Sequence, residues 1–148
     1  MIGLLQRVNH ARVTVNGQTT GEIERGLMVL VAVQRGDGPE QARRLAERLL
    51  TYRVFEDESG RMNLDVNQIG GGLLLVPQFT LAADTRKGKR PSFSGAADPE
   101  QGKALFEACV TAAREHCSNV ATGEFGANMD VELLNQGPVT FWLEVTPT

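Results

Sequence analysis

Leu133-Leu134-Asn135-Gln136-Gly137-Pro138-Val139-Thr140-Phe141-Trp142-Leu143 is a strand-like run interrupted at its centre by a Gly-Pro step. Val131 and Leu133 on one side, and Val139 to Leu143 on the other, are mostly apolar or β-prone. Proline has no N–H to give to a ladder, so it breaks or borders any strand that holds it. The preceding glycine removes the Cβ that would crowd unusual geometries. The Gly137–Pro138 step is therefore either a plain turn between two strands or a backbone device set into one. The residues alone favour the turn, because only about 5–6% of X–Pro bonds in folded proteins are cis.

The rest of the chain also reads largely as strands. Met1 to Val8 is largely apolar, Asn9-His10 reads as a turn, and Ala11-Arg12-Val13-Thr14-Val15 alternates as a half-buried strand does. Asn16-Gly17 is a hairpin signal, with Thr19 to Ile23 as the returning strand. Leu27 to Val33 is continuously apolar, which predicts a central strand buried on both faces. A helix is expected from Pro39 to about Tyr52, with Ala42, Leu45, Ala46, Leu49 and Leu50 on one face and Arg43, Arg44, Glu47 and Arg48 on the other. Val54-Phe55 starts a short strand, and Gly70-Gly71-Gly72 precedes the buried strand Leu73 to Val76. That triplet lacks a following Lys-Ser/Thr and opens no helix, so it is not read as a phosphate loop.

Residues 82–97 form a polar loop, and a second helix starts at Asp98-Pro99-Glu100-Gln101 with Asp98 as N-cap and Gln101 at the capping-box position. Leu105, Phe106, Cys109, Ala112, Ala113 and His116 would supply its inner face. Val120 to Phe125 and Val131 to Val145 close the chain with strands. The expected class is α+β: a mostly antiparallel sheet or barrel with two packed helices, in one domain spanning residues 1–148.

Composition narrows the function. No apolar run approaches the roughly 20 residues of a membrane span, and the N-terminus does not read as a signal peptide. Cys109 and Cys117 fall in one helix-like segment, too far apart for a disulfide within a straight helix, so free thiols in a reducing cytoplasm are expected. A net charge of −3 gives no global pull toward nucleic acid, so RNA contact must be local. The basic cluster Arg86, Lys87, Lys89 and Arg90 is the candidate.

His10 and His116 are the only histidines, and neither has a cysteine or carboxylate at metal-ligand spacing; no metal and no cofactor are expected. There is no nucleophile elbow, P-loop or dinucleotide fingerprint. What remains is the strand end Val76-Pro77-Gln78-Phe79-Thr80-Leu81. Gln78 offers an amide, Phe79 a stacking ring and Thr80 a hydroxyl, and backbone N–H groups freed from the ladder there could cradle an oxyanion.

Gln78-Phe79-Thr80-Leu81 with Ala82-Ala83-Asp84-Thr85, then Arg90-Pro91-Ser92-Phe93, then Asn135-Gln136-Gly137-Pro138-Val139-Thr140, resembles the D-aminoacyl-tRNA deacylase family. Leu5-Gln6-Arg7-Val8, Val13-Thr14-Val15, Tyr52-Arg53-Val54-Phe55 and Met62-Asn63-Leu64 match it too, in order along essentially the whole chain. The resemblance implies a homodimeric cytoplasmic enzyme that hydrolyses the ester joining a D-amino acid to tRNA, or glycine where it is mischarged on tRNA-Ala. It implies that Gln78, Phe79 and Thr80 form the catalytic strand end. It also implies a cis Gly137–Pro138 bond on a hairpin that enters the partner's site and presents two carbonyls to the substrate's α-amino group. Arg7 would help fix that wall across the dimer interface.

This chain departs from the family pattern at Pro77, where serine is common, and at Gln136, where aspartate is frequent. Proline has no hydroxyl and no N–H. A substrate-assisted path, in which the 2′-hydroxyl of the terminal adenosine helps water attack, fits that better. Two other readings compete: a hydrolase of another ester or amide with Thr80 as nucleophile, and a non-enzymatic RNA-binding module, for which 5% aromatic content gives a poor stacking platform.

Overall fold

The computed structural model describes residues 1–148. Its first strand, β1 (Ile2–Val15), is a single 14-residue element. The expected turn at Asn9-His10 is absorbed as an irregularity in the pairing of β1 with the last strand, between Val8 and His10. A β-bulge lets a strand carry extra residues without ending. Then follow β2 (Gln18–Ile23), β3 (Gly26–Ala32), α1 (Pro39–Thr51), the small hairpin β4 (Phe55–Glu56) and β5 (Met62–Leu64), and β6 (Gly72–Pro77). A 3₁₀ turn (Phe79–Ala82), α2 (Pro99–Arg114), β7 (Val120–Thr122) and β8 (Asp130–Glu144) complete the chain.

The sheet runs β2-β1-β3-β6-β7, with β8 laid along the other side of β1. β1 pairs antiparallel with β2, β3 and β8, whereas β3–β6 and β6–β7 are parallel. Parallel neighbours need a long crossover, and the segments carrying α1 and α2 supply the two. The sheet curls until β2 nearly meets β7. A Cβ on Gly21 would lie 2.4 Å from the Thr122 carbonyl oxygen, so this closure needs a residue without a side chain.

Both faces of the sheet are covered. Leu27, Val29 and Val31 of β3 and Leu73 and Leu75 of β6 enter a large core with Leu45, Leu49, Leu105 and Phe106 of the helices. Met28, Leu74 and Val76, one residue out of phase, enter a smaller core inside the curl with Val8, Val13 and Ile23. The period-two alternation of a strand thus feeds two cores, which is why β3 and β6 read as unbroken apolar runs. Met1 and Asp37 add a buried ion pair: the Met1 ammonium lies 2.8 Å from Asp37 Oδ2 and donates to the Val145 carbonyl at 2.6 Å.

Three local expectations change. The capping box of α2 is half formed: Asp98 Oδ1 accepts from the Gln101 amide at 3.0 Å, but the Gln101 side chain donates to the Asp37 carbonyl instead of turning back. His116 lies beyond the helix and is exposed, so it is not part of the inner face. Cys117 also lies past the helix end; both cysteines are free and buried. No helix is long and apolar enough to cross a membrane.

Candidate functional site

The Gly137–Pro138 step lies within β8, and its peptide bond is cis. β8 pairs with β1 on both sides of the step, Thr140 opposite Gln6 and Asn135 opposite Val8. Residues 136–139 bulge out opposite Arg7. The bulge is held from two directions. Asn135 Oδ1 accepts from the Val139 amide at 2.8 Å, while its Nδ2 donates to Thr140 Oγ1 at 3.0 Å and to the Val139 carbonyl at 3.2 Å. Arg7, 6% exposed, donates from Nε to the Gln136 carbonyl at 3.1 Å and from Nη1 to the Val54 carbonyl at 2.8 Å. Gly137 has φ +138°, and a Cβ there would sit 2.7 Å from Val139 Cγ2 and 3.3 Å from Arg7 Nη2. Gln136, Gly137 and Pro138 are exposed above this buried support. Both Arg7 contacts are made within this chain, so Arg7 braces the bulge from beneath.

The second group gathers at the end of β6. Pro77 is the last ladder residue, opposite Val31, and the Gln78 amide extends the pairing by donating to the Val31 carbonyl at 2.7 Å. Beyond Gln78 the chain leaves the ladder and tightens into the 3₁₀ turn. The amides of Phe79 and Thr80 open that turn and meet no acceptor, as first-turn N–H groups commonly do not. The Gln78 side-chain amide donates to Thr80 Oγ1. No histidine or carboxylate bonds that hydroxyl. Phe79 is exposed and packs on Phe93 with ring centroids 5.3 Å apart.

Beside this turn opens a cavity of about 460 Å³. Val76 and Val31 form its floor, Phe106, Phe125 and Met129 its walls, and Gln78 and Phe79 its rim. It is a mostly apolar slot with a few polar groups at the mouth, the usual form of a small-ligand site. Thr80 is outside the lining, and so are Arg7, Gly137 and Pro138. Within one chain the strand-end group and the hairpin group do not share a cavity.

The basic loop closes on itself at its neck, where Asp84 and Ser92 exchange backbone bonds of 2.7 and 3.0 Å. Arg86 is folded back: its amide, Nε and Nη2 all donate to the Asp84 carboxylate at 2.8–3.0 Å. That guanidinium holds the Asp84 carboxyl well below the usual carboxylate range. Arg86 is therefore already paired, while Lys87, Lys89 and Arg90 stay exposed and make no ion pair.

The residues read from sequence thus fall into three places, and three further residues were not singled out by that reading. Asn135 was visible only as part of a motif, and its caging bonds depend on the bulge that places Val139 beside it. Phe125 and Met129 bring a second wall to the cavity from a loop that carries no motif.

The model of the D-Tyr-tRNA(Tyr) deacylase family matches residues 4–144. The chain belongs to that family. It is 62% identical over 148 residues to a D-aminoacyl-tRNA deacylase of Alkalilimnicola ehrlichii, covering 100% of this chain and 99% of that protein. It is 56% identical over 145 residues to one of Salmonella agona, covering 98% and 100%. Among solved structures it is similar to the c-Myc DNA Unwinding Element Binding Protein, with a TM-score of 0.94, 35% identity and coverage of 99% and 100%. It shares the fold of a probable eukaryotic D-amino acid tRNA deacylase, with a TM-score of 0.83, 19% identity and coverage of 97% and 98%. Family membership makes the chain a hydrolase acting on ester bonds.

Proposed function

We propose that this chain hydrolyses the ester bond of D-aminoacyl-tRNA, releases tRNA and the free amino acid, and works as a two-fold dimer. One observation carries the reading: a hairpin rigidly braced by Arg7 and Asn135 is excluded from its own chain's cavity, which leaves it free to serve a second copy. β8 supports the dimer. It is 15 residues long and pairs only with β1, so its other edge is open, and it exposes Leu134, Phe141 and Trp142. Long open edges with apolar residues are what a partner covers. An isologous contact would carry both hairpins to both sites at once.

In this assembly the terminal adenine occupies the apolar cavity, and the ester lies at the strand end. The free amides of Phe79 and Thr80 receive the developing oxyanion. Water attacks with help from the 2′-hydroxyl of the terminal ribose, since Pro77 carries no hydroxyl. Thr80, whose only side-chain partner is an amide that cannot take a proton, positions rather than attacks. The carbonyls of the partner's Gly137 and Pro138 face the α-ammonium and leave no room for an L side chain. A backbone wall discriminates by shape, so D-residues of many kinds pass. Glycine on tRNA-Ala passes too.

The test is incubation with D- and L-tyrosyl-tRNA, matched in tRNA. The expected result is rapid loss of the D ester with the L ester spared. Equal hydrolysis of both removes the chiral wall, and hydrolysis of neither removes the deacylase reading. Light scattering at micromolar concentration gives the dimer; an active monomer contradicts the partner-supplied hairpin.

A further inference from the structure

The apolar cavity is not the end of the concave surface. A second depression of about 560 Å³ begins on the far side of Phe106 and Phe125, which line both. It runs between α2 and the segment after β7. Its α2 wall carries Lys103, Glu107, Thr111 and Arg114, at spacings of four, four and three residues that keep them on one helix face. Lys103 and Arg114 stand at its two ends, about 16 Å apart along the axis at 1.5 Å per residue. Glu124 faces them from the opposite wall.

These charges are uncommitted. Arg12, Arg43, Arg44 and Arg86 each meet a carboxylate, but Lys103 and Arg114 make no ion pair although Glu107 and Glu124 share their groove. A solvated helix face needs no concavity and no second wall. A groove with a cation at each end, carboxylates between, and a wall shared with a nucleoside-sized cavity suits a nucleotide. Its phosphates go to the cations and its amine donors to the carboxylates.

Resting on the deacylase reading above, we propose that this groove binds the nucleotide preceding the terminal adenosine of tRNA. One of Lys103 and Arg114 takes its 5′-phosphate and the other a phosphate farther along the strand, and Glu107 or Glu124 accepts from the 4-amino group of its cytosine. The occupant is a cytidine because tRNAs end in CCA and the amine of cytosine is the base-edge donor that a carboxylate reads. The ring of Phe125 is the partition between adenine and cytosine. The groove therefore recognises the RNA end and leaves the amino acid to the hairpin.

The test compares Lys103→Gln/Arg114→Gln with the unaltered enzyme on two substrates, D-tyrosyl-tRNA and 3′-O-D-tyrosyl-adenosine, which ends before the groove. The expected result is a KM about 10-fold higher on the tRNA, with a salt dependence shallower by roughly one unit of slope per lost phosphate contact, and no such change on the adenosine ester. Glu107→Gln/Glu124→Gln should weaken binding of an uncharged acceptor-end oligonucleotide ending in CCA more than one ending in CUA, read by fluorescence anisotropy. Equal effects on both ester substrates, or none on either, overturn the proposal. If the unaltered protein cleaves neither ester, the deacylase reading fails. The anisotropy arm then still decides the groove: binding insensitive to Lys103 and Arg114 overturns it.

Discussion

Replacing Arg7 with alanine tests the brace beneath the hairpin. Two charge-assisted bonds are lost, to Gln136 O at 3.1 Å and Val54 O at 2.8 Å, in a side chain that is 6% exposed. Bonds to a charged donor contribute about 1.5–3 kcal/mol each, and each acceptor left buried without a partner costs about 1–3 kcal/mol. Removing a desolvated guanidinium offsets part of that, since no carboxylate balances it. A net loss of about 2–4 kcal/mol remains, or roughly 4–16 °C in Tm for a domain of this size. The consequence for catalysis is sharper than the consequence for stability. Gln136, Gly137 and Pro138 would lose their only support from β1, so hydrolysis of L-tyrosyl-tRNA should rise relative to D-tyrosyl-tRNA below the melting range. Arg7→Lys keeps the charge but gives up the fork that spans two carbonyls, and should fall between. Thermal melts paired with D and L turnover measure both effects. A variant that melts normally, or that melts early with its D-over-L ratio intact, refutes the brace.

Other perturbations probe separate parts. Asp37→Ala strands the buried Met1 ammonium, 2.8 Å from its partner, and should cost about 3–5 kcal/mol in urea unfolding; a loss below 1 kcal/mol would mean that water reaches the pair. Thr80→Ala should lower the rate by about 10–100-fold with selectivity unchanged, and tRNA ending in 2′-deoxyadenosine should react far more slowly with the unaltered enzyme. A normal rate on the deoxy substrate together with a dead Thr80→Ala would make threonine the nucleophile. Burial pushes the Cys109 thiol from 9.0 up to about 12, so the folded chain favours its protonated form. The resulting stability is complete below pH 9 and is lost as pH rises toward 12, on the order of 1 kcal/mol per pH unit. Cys109→Ala should show a shallower alkaline decline, and an equally steep one would refute the assignment. Charge reversal at Lys87, Lys89 and Arg90 should raise KM for tRNA at low salt, whereas reversal at Arg86, already paired with Asp84, should add little; unchanged turnover marks the loop as solvated surface.

The sequence determined the elements because their signals are local. Unbroken apolar runs at 27–33 and 73–76 specified strands buried on both sides, and Pro39 and Asp98-Pro99 fixed two helix starts. The strand end at Gln78–Thr80 was legible because an unbroken apolar run stops there at a proline followed by polar residues, although Pro138 shows that a strand can also continue past a proline at a bulge. Asn9-His10 looked like a turn because polarity marks turns and bulges alike; only the pairing of β1 with β8 across eleven registered positions keeps it in a strand.

The tertiary structure alone decided what the functional groups can reach. Arg7 lies 129 residues from Gln136, and no local pattern encodes a bond of that span. The cavity takes Phe125 and Met129 from a loop with no motif, and the Gly137–Pro138 step, the most conspicuous feature of the chain, does not line it. Propensity and proline geometry act between neighbours in sequence, so they fix where strands and helices begin and end. Which polar atom is buried beside which, and which surface is left open for another copy, follow from long-range packing that only the folded chain specifies.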